Sequence, residues 1–209
     1  MSASSARVVN VGELVSRAAR AFAQRTAVYT PHRSVTYSEL EKRSNRLANA
    51  LLGAGLQRGD RVGIYLPNCI EIVEIELACY KAALIKAPYN ARLSPAEVGD
   101  IVGNSEATVI VTTAERAESF RSHLQGPMPR LLLVDVPADA ENGYERALAQ
   151  ASDAFACAAV SEDEVAVLHY TSGSSGVLKA AMQTFGNRLA QLRKFLCRPE
   201  RMQAGHILG

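Results

Sequence analysis

Gly59-Asp60-Arg61-Val62-Gly63-Ile64-Tyr65-Leu66-Pro67-Asn68 is the stretch that decides the fold. A Gly-Asp turn feeds an apolar run, Arg61 to Leu66, and Pro67-Asn68 closes it. An uninterrupted run of this length, bounded by turn residues, reads as a strand buried on both faces. Behind it, Ile72, Ile75, Leu77 and Ala78 recur at helical spacing within a segment from Ile70 to Ala83. Leu84 to Ala87 then gives a second apolar run, which ends at Pro88. Strand, helix, strand is the repeating unit of a parallel sheet, because parallel neighbours need a crossover between them.

The alternation continues in both directions. Downstream, Ser94-Pro95-x-Glu97 combines a capping hydroxyl, proline at the first helical position and a carboxylate at the third. That is a helix start, since hydroxyl and carboxylate satisfy orphan N–H groups reciprocally. Thr108 to Thr112 is almost continuously β-branched and reads as a strand. A helix from Ala114 to His123, a strand at Leu131 to Val134, a short helix near Tyr144 to Ala151 and a strand from Val165 to Thr171 follow. Upstream, Leu14, Val15, Ala18, Ala19 and Phe22 predict an amphipathic helix over residues 12–24, followed by short strands at Thr26 to Tyr29 and Ser34 to Thr36. Both Thr36-x-x-Glu39 and Ser38-x-x-Glu41 fit a capping box for the next helix, which Leu40, Leu47, Leu51 and Leu52 carry to Gly53, with Gly55 just beyond. The expected architecture is α/β, a layered and largely parallel sheet with flanking helices. Residues 136–164, rich in Ala, Asp, Glu and Ser, are the expected place for a mobile connection or a soft boundary within 1–209.

Composition narrows the function classes. With 48% hydrophobic and 21% charged residues and a formal net charge of +2, the 209-residue chain has enough apolar surface for a core, which excludes intrinsic disorder. The longest basic clusters are Lys42-Arg43 and Arg193-Lys194, too short for a phosphate-tracking surface, so no nucleic-acid partner is expected. Cys69, Cys79, Cys157 and Cys197 form no CxxC pair and lie near no His at ligand spacing. They read as reduced thiols of a cytoplasmic protein, with no metal site. The residues from Met1 to Arg7 lack an apolar signal core, and no window is long and apolar enough to span a bilayer.

Chemistry concentrates at Val165-Ala166-Val167-Leu168-His169-Tyr170-Thr171-Ser172-Gly173-Ser174-Ser175-Gly176-Val177-Leu178-Lys179. An apolar strand runs into a turn built of hydroxyls and glycines and ends in lysine. Glycines let backbone N–H groups turn toward an anion, the hydroxyls of Thr171, Ser172, Ser174 and Ser175 add donors, and Lys179 adds a full charge. The loop therefore reads as a phosphate cradle. A Ser-Gly linker is the alternative, but linkers seldom follow a buried strand and carry a spaced lysine. The spacing is not that of a Walker A loop, because Gly173, Gly176 and Lys179 fall at GxxGxxK and Ala180 replaces the metal-binding hydroxyl. His169 has no Ser or Cys nucleophile beside it and reads as structural. Glu162-Asp163-Glu164 point different ways on an extended chain and read as solvated, and Tyr89-Asn90 read as a strand end pinned by Pro88.

Tyr170 to Lys179 resembles the signature loop Tyr-Thr-Ser-Gly-Ser/Thr-Thr-Gly-x-Pro-Lys-Gly of AMP-forming, adenylate-making enzymes: acyl-CoA synthetases, luciferases and peptide-synthetase adenylation domains. The resemblance extends in order through Thr36-Tyr37-x-Glu39-Leu40, Arg46-Leu47-Ala48, Gly59 to Asn68, and Pro88-Tyr89-Asn90-Ala91-Arg92-Leu93-Ser94-Pro95-Ala96-Glu97. It implies attack of a carboxylate on the α-phosphate of ATP, with Mg²⁺ present, release of pyrophosphate, and transfer of the acyl group to a thiol, usually coenzyme A. It also implies Thr171, Ser172, Gly173, Ser174, Ser175, Gly176 and Lys179 as the ATP contacts, and it names no catalytic residue within the chain. Later blocks of the family have no match here, so the resemblance is to the N-terminal part of a carboxylate-CoA ligase, with a fatty acid favoured by overall similarity. The other readings are an inactive or weakly phosphate-binding module, and part of an adenylation domain that loads a carrier-protein thiol. Leu178 stands where the family commonly has proline, Ala180 where it has glycine, and Thr184-Phe185-Gly186-Asn187 where it has Thr-His-Arg-Asn.

Overall fold

The computed structural model describes residues 7–172 and 178–196. In chain order the elements are β1 (Arg7–Val8), α1 (Val11–Phe22), β2 (Thr26–Tyr29), β3 (Ser34–Thr36), α2 (Tyr37–Gly53) and β4 (Arg61–Tyr65). Next come α3 (Ile70–Ala82), β5 (Ile85–Pro88), α4 (Pro95–Ser105), β6 (Val109–Thr112), α5 (Ala114–Arg121) and β7 (Arg130–Leu133). The chain continues through α6 (Tyr144–Ala149), β8 (Val160–Ser161), β9 (Val165–Ser172), β10 (Leu178–Thr184) and α7 (Phe185–Leu196).

Six strands form the main sheet in the order β10-β9-β5-β4-β6-β7. β9, β5, β4, β6 and β7 run parallel, and β10 closes one edge antiparallel to β9. From β4 the chain crosses through α3 to β5 on one side, then through α4 back past β4 to β6 on the other. Crossovers of one hand that step in opposite directions must lie on opposite faces of the sheet. The side chains agree. Val62 and Ile64 of β4 and Val109 and Val111 of β6 pack with Ile75, Ala78 and Cys79 of α3 and Leu47 and Leu51 of α2. Tyr65, Ala87 and Ile110 turn the other way, onto Val98, Ile101 and Val102 of α4 and Phe120 of α5. Period-two alternation within runs that are apolar throughout thus feeds two cores at once.

Helix starts obey local chemistry. Thr36 accepts the Glu39 N–H and Glu39 accepts the Thr36 N–H at 2.7 Å, a complete capping box on α2. Ser38-x-x-Glu41, which fits the same pattern, is not the cap: Ser38 lies inside α2, and Glu41 is drawn away to Lys81 Nζ at 2.7 Å. Ser94 and Glu97 cap α4 with Pro95 at its start. Asn10 caps α1 through the Gly12 N–H and donates through Nδ2 to the carbonyls of Tyr80 at 2.7 Å and Ala158 at 3.0 Å. One side chain thereby ties the first helix to α3 and to the segment before β8.

Strand β10 has no local strand signal in the sequence. Lys179-Ala180-Ala181-Met182 has no β-branched residue, and its strand conformation comes from the ladder with β9, from Leu178↔Ser172 to Thr184↔Val165. The two-residue strands β1 and β8 pair antiparallel across most of the chain length and have no local signal either. Between β7 and β9, Tyr144 is buried in the core of α2 and α3. There, too, Asn45 donates to the Asp153 carbonyl at 2.8 Å and Asn49 to those of Ser152 and Ala154 at 2.8 and 3.0 Å.

Replacing Ser94 by alanine removes one half of the α4 capping box. Ser94→Ala is expected to lower unfolding free energy by about 1 kcal/mol, read as a lower urea midpoint with unchanged slope. An unmoved midpoint would contradict the assigned role of the box.

Candidate functional site

Crossovers that depart to opposite faces leave a crevice where their strands end, and ligands of open α/β sheets bind at such reversals. The strand order here reverses between β4, whose crossover steps to β5, and β6, whose crossover steps to β7; beside that reversal, where β4 and β5 end, a cleft of about 530 Å³ opens. The segment after β4 supplies Leu66, Pro67 and Asn68, and the segment after β5 supplies Tyr89, Asn90 and Arg92. Asn90 accepts the Arg92 N–H at 3.0 Å, the local bonding expected of an asparagine after a strand end. Arg116 of α5 holds the same turn by donating to the Ala91 carbonyl at 3.2 Å, with its guanidinium 4.7 Å from the Tyr65 ring centre.

β9 lies parallel and next to β5, so its last residues, Thr171 and Ser172, end on this edge of the sheet. Thr171 and Lys179 stand opposite each other in the ladder, and Ser172 stands opposite Leu178. Lys179 is exposed. The backbones of Thr171 and Ser172 belong to β9; Gly173, Ser174, Ser175 and Gly176 lie outside the described residues.

A pair of tyrosines joins the loop to the cleft. Tyr170, the residue before the loop, meets Tyr89 edge to face with ring centres 6.0 Å apart. Tyr89 is buried, and its hydroxyl lies 2.7 Å from Ser105 Oγ, which donates in turn to the Val102 carbonyl at 3.1 Å. Burial raises the Tyr89 phenol well above its ordinary range, so it remains a protonated donor. Space for the ring exists because position 63 has no Cβ: one built there would lie 2.6 Å from Tyr89 Oη and 2.9 Å from Cζ.

Beneath the hairpin lies a charged cluster that sequence reasoning missed. Glu76 of α3 accepts from Lys86 Nζ of β5 at 2.6 Å, from Arg188 Nη2 of α7 at 3.1 Å and from Tyr80 Oη at 2.7 Å. Burial works to raise the Glu76 carboxyl, but Lys86, Tyr80 and Arg188 outweigh it and hold the group below its ordinary value. One signal was available: a lysine between Ile85 and Ala87 in an apolar strand needs a buried anion. His169 lies beside this cluster. Burial, then Lys86 and Arg188, hold its imidazole below 6.5, against the opposing hydrogen bond to Gln183.

The other residues weighed from the sequence have structural partners. Glu164 accepts the Ser161 N–H at 2.7 Å and pairs with Arg58, and Asp163 accepts from the Ser161 hydroxyl at 2.7 Å. Cys69, Cys79 and Cys157 are free thiols, and burial pushes Cys79 up to about 12, far from reactive; Cys197 lies outside the described residues. No helix among the described residues is long and apolar enough to cross a membrane.

Comparison with known proteins adds independent observations. The model of the AMP-binding enzyme family matches residues 15–207. A feruloyl-CoA synthase of Amycolatopsis is 37% identical over 177 residues, covering 85% of this chain and 34% of that protein. A 3-oxocholest-4-en-26-oate–CoA ligase of Rhodococcus rhodochrous is 34% identical over 182 residues, covering 83% of this chain and 33% of that one. Among solved structures, a benzoate CoA ligase from Burkholderia xenovorans superposes with a TM-score of 0.79 at 22% identity, over 92% of this chain and 37% of that one, a likeness of fold. The chain spans about a third of the length of these curated relatives.

Two outcomes follow from the geometry. Gly63→Ala drives a methyl into Tyr89 and is expected to cost about 1–3 kcal/mol of stability, measured by urea denaturation, whereas an unchanged midpoint would mean that the ring has room. His169 has a folded pKa below its unfolded value near 6.5, so its contribution to stability is present above that value and is lost as pH falls through the folded one. His169→Gln is expected to flatten the fall of stability between about pH 7 and pH 5; an identical pH profile would contradict this.

Proposed function

Because the chain belongs to the AMP-binding enzyme family, we propose that it is part of an AMP-forming carboxylate–CoA ligase and contributes the cradle for the departing phosphates. A carboxylate oxygen of the acid attacks the α-phosphorus of ATP, the bond from that phosphorus to the bridging oxygen breaks, and pyrophosphate leaves with the electron pair. The thiol of coenzyme A then attacks the acyl carbon, AMP departs, and the thiol proton passes to solvent or a base.

This chain's contribution is electrostatic. Charge grows on the β- and γ-phosphates as the bond breaks, and donors already in place stabilise it without reorganising. Lys179 supplies a full positive charge, Thr171, Ser172, Ser174 and Ser175 supply hydroxyls, and Gly173 and Gly176 free the backbone N–H groups to turn inward. Mg²⁺ would enter with the nucleotide and offset charge on its phosphates. The observation that carries the reading is the register of the hairpin. It faces Thr171 with Lys179 on strands that flank the loop, at the sheet edge where the cleft between β4 and β5 opens. The feruloyl-CoA synthase and the steroid-acid ligase support an organic carboxylic acid as the substrate class.

Calorimetry with Mg-ATP tests the proposal on the chain, comparing it with Lys179→Ala and with Ser174→Ala plus Ser175→Ala. Each change removes charge-assisted hydrogen bonds and is expected to weaken binding by about tenfold or more. Binding that both variants retain unchanged, or no binding by the unaltered chain, would contradict the cradle.

A further inference from the structure

The hairpin that carries the loop has a short backbone hold on the sheet. Among the described residues the β5–β9 ladder runs through one pair, Lys86↔Val167, whereas β4 and β5 share four. β5 and β9 nonetheless lie as close along their length as β4 and β5 do, and the side chains beneath them add a tie that the ladder does not. Lys86, the ladder residue itself, donates to Glu76 of α3. Arg188 sits one turn into α7, which follows β10 without a break, and donates to the same carboxylate. Its other terminal nitrogen reaches Gln183 of β10 at 3.4 Å and Gln191 at 2.8 Å. Both cations lie over the ring of Tyr80, at 5.6 and 5.9 Å, and Tyr80 meets Phe185, the first residue of α7, edge to face at 6.0 Å. The arm after the loop is thus tied through Arg188 to a carboxylate on a helix that is itself fixed in the core, and the arm before it reaches the same carboxylate through its ladder partner Lys86.

We infer that Glu76, Lys86 and Arg188 form a brace that sets the position of the β9–β10 hairpin, and with it the ladder pair Thr171 and Lys179. This rests on the reading of the loop as a phosphate cradle, for which the three are positioning residues. Two cations share one anion here, so the carboxylate is the member whose loss matters most: without it Lys86 and Arg188 repel each other with little water to screen them. Lys86 is the more buried cation and is held in a central strand, so Arg188 is the one that yields, and α7 and β10 move with it. The cores on α2, α3 and β4 do not include these groups and stay as they are.

Hydrogen exchange across the 209-residue chain, with Mg-ATP calorimetry on the same samples, separates a brace from a general stabiliser. Glu76→Gln and Arg188→Gln are expected to raise exchange in β9 and β10 by about three- to thirty-fold, leave α2 and β4 unchanged, and weaken Mg-ATP by a similar factor. Arg188→Lys, which keeps the charge, is expected to stay near the unaltered chain in both. If Glu76→Gln does not fold, Arg188→Gln decides alone, since its side chain lies at the edge of the cluster. Unchanged hairpin exchange, a uniform rise over all elements, or a loosened hairpin with unaltered Mg-ATP affinity would each overturn the inference. Failure of the unaltered chain to bind Mg-ATP would instead remove the cradle reading, and the exchange pattern would still decide whether the brace exists.

Discussion

Charge buried on α3 is the constraint on which the rest of the structure depends. This helix is enclosed by α1, α2 and the sheet, yet Glu74, Glu76 and Lys81 project from it. A charge out of water must be met by partners, and removing one partner of such a pair costs about 3–5 kcal/mol. Each is met by a different neighbour. Lys81 Nζ donates to Glu41, Ser44 and Asn45 of α2 at 2.7, 2.8 and 2.7 Å, which uses all three of its hydrogens. Glu74 accepts Arg43 Nε at 2.6 Å and the Tyr144 hydroxyl at 2.8 Å, and Arg43 reaches on to Glu145, so α6 is drawn against α2. Glu76 takes β5 and α7. No buried side-chain nitrogen or oxygen among the described residues lacks a partner. Apolar contacts alone would let α2 slide along α3; these hydrogen bonds fix one register.

The functional edge inherits that fixity. α3 links β4 to β5, so its placement fixes where the two strands end and where the cleft opens between them. From β5 the path continues sideways to β9 through Lys86 and through the Tyr89–Tyr170 contact, one on each face of the sheet. A loop rich in glycine and hydroxyls gains its chemistry from conformational freedom, and freedom is useful only between strands that do not drift. Lys86, Tyr89 and Tyr170, which carry this fixity to the edge, lie outside the residues proposed to touch a phosphate.

What could be read from the sequence follows from how local each signal is. Ser94-Pro95-x-Glu97 marks a helix start through bonds that span three residues, and α4 begins there. Arg61 to Tyr65 and Val109 to Thr112 read as strands because their apolar runs admit nothing else, although the runs do not say which side each residue faces. Thr36 and Ser38 offer two equal local patterns, and the choice falls to Lys81, whose demand for Glu41 comes from 40 residues away. β10 has poor strand propensity and owes its form to β9, a pairing that a local reading does not contain. The loop reads as a proposed phosphate cradle from its residues alone, because hydroxyls between glycines followed by a lysine exceed what a turn needs. Its supports, Glu76 and Arg188, look in the sequence like ordinary surface charges.

The most direct measure of the central claim, that the loop and the neighbouring sheet edge together receive ATP phosphates, is a titration of the ¹⁵N-labelled chain with Mg-ATP followed by amide chemical shifts. The account expects shifts to gather at residues 171–179 and at the cleft rim from Tyr89 to Arg92, with α5 and α6 unmoved. Shifts confined to the basic residues of α2, or absent along 171–179 at saturating nucleotide, would contradict it.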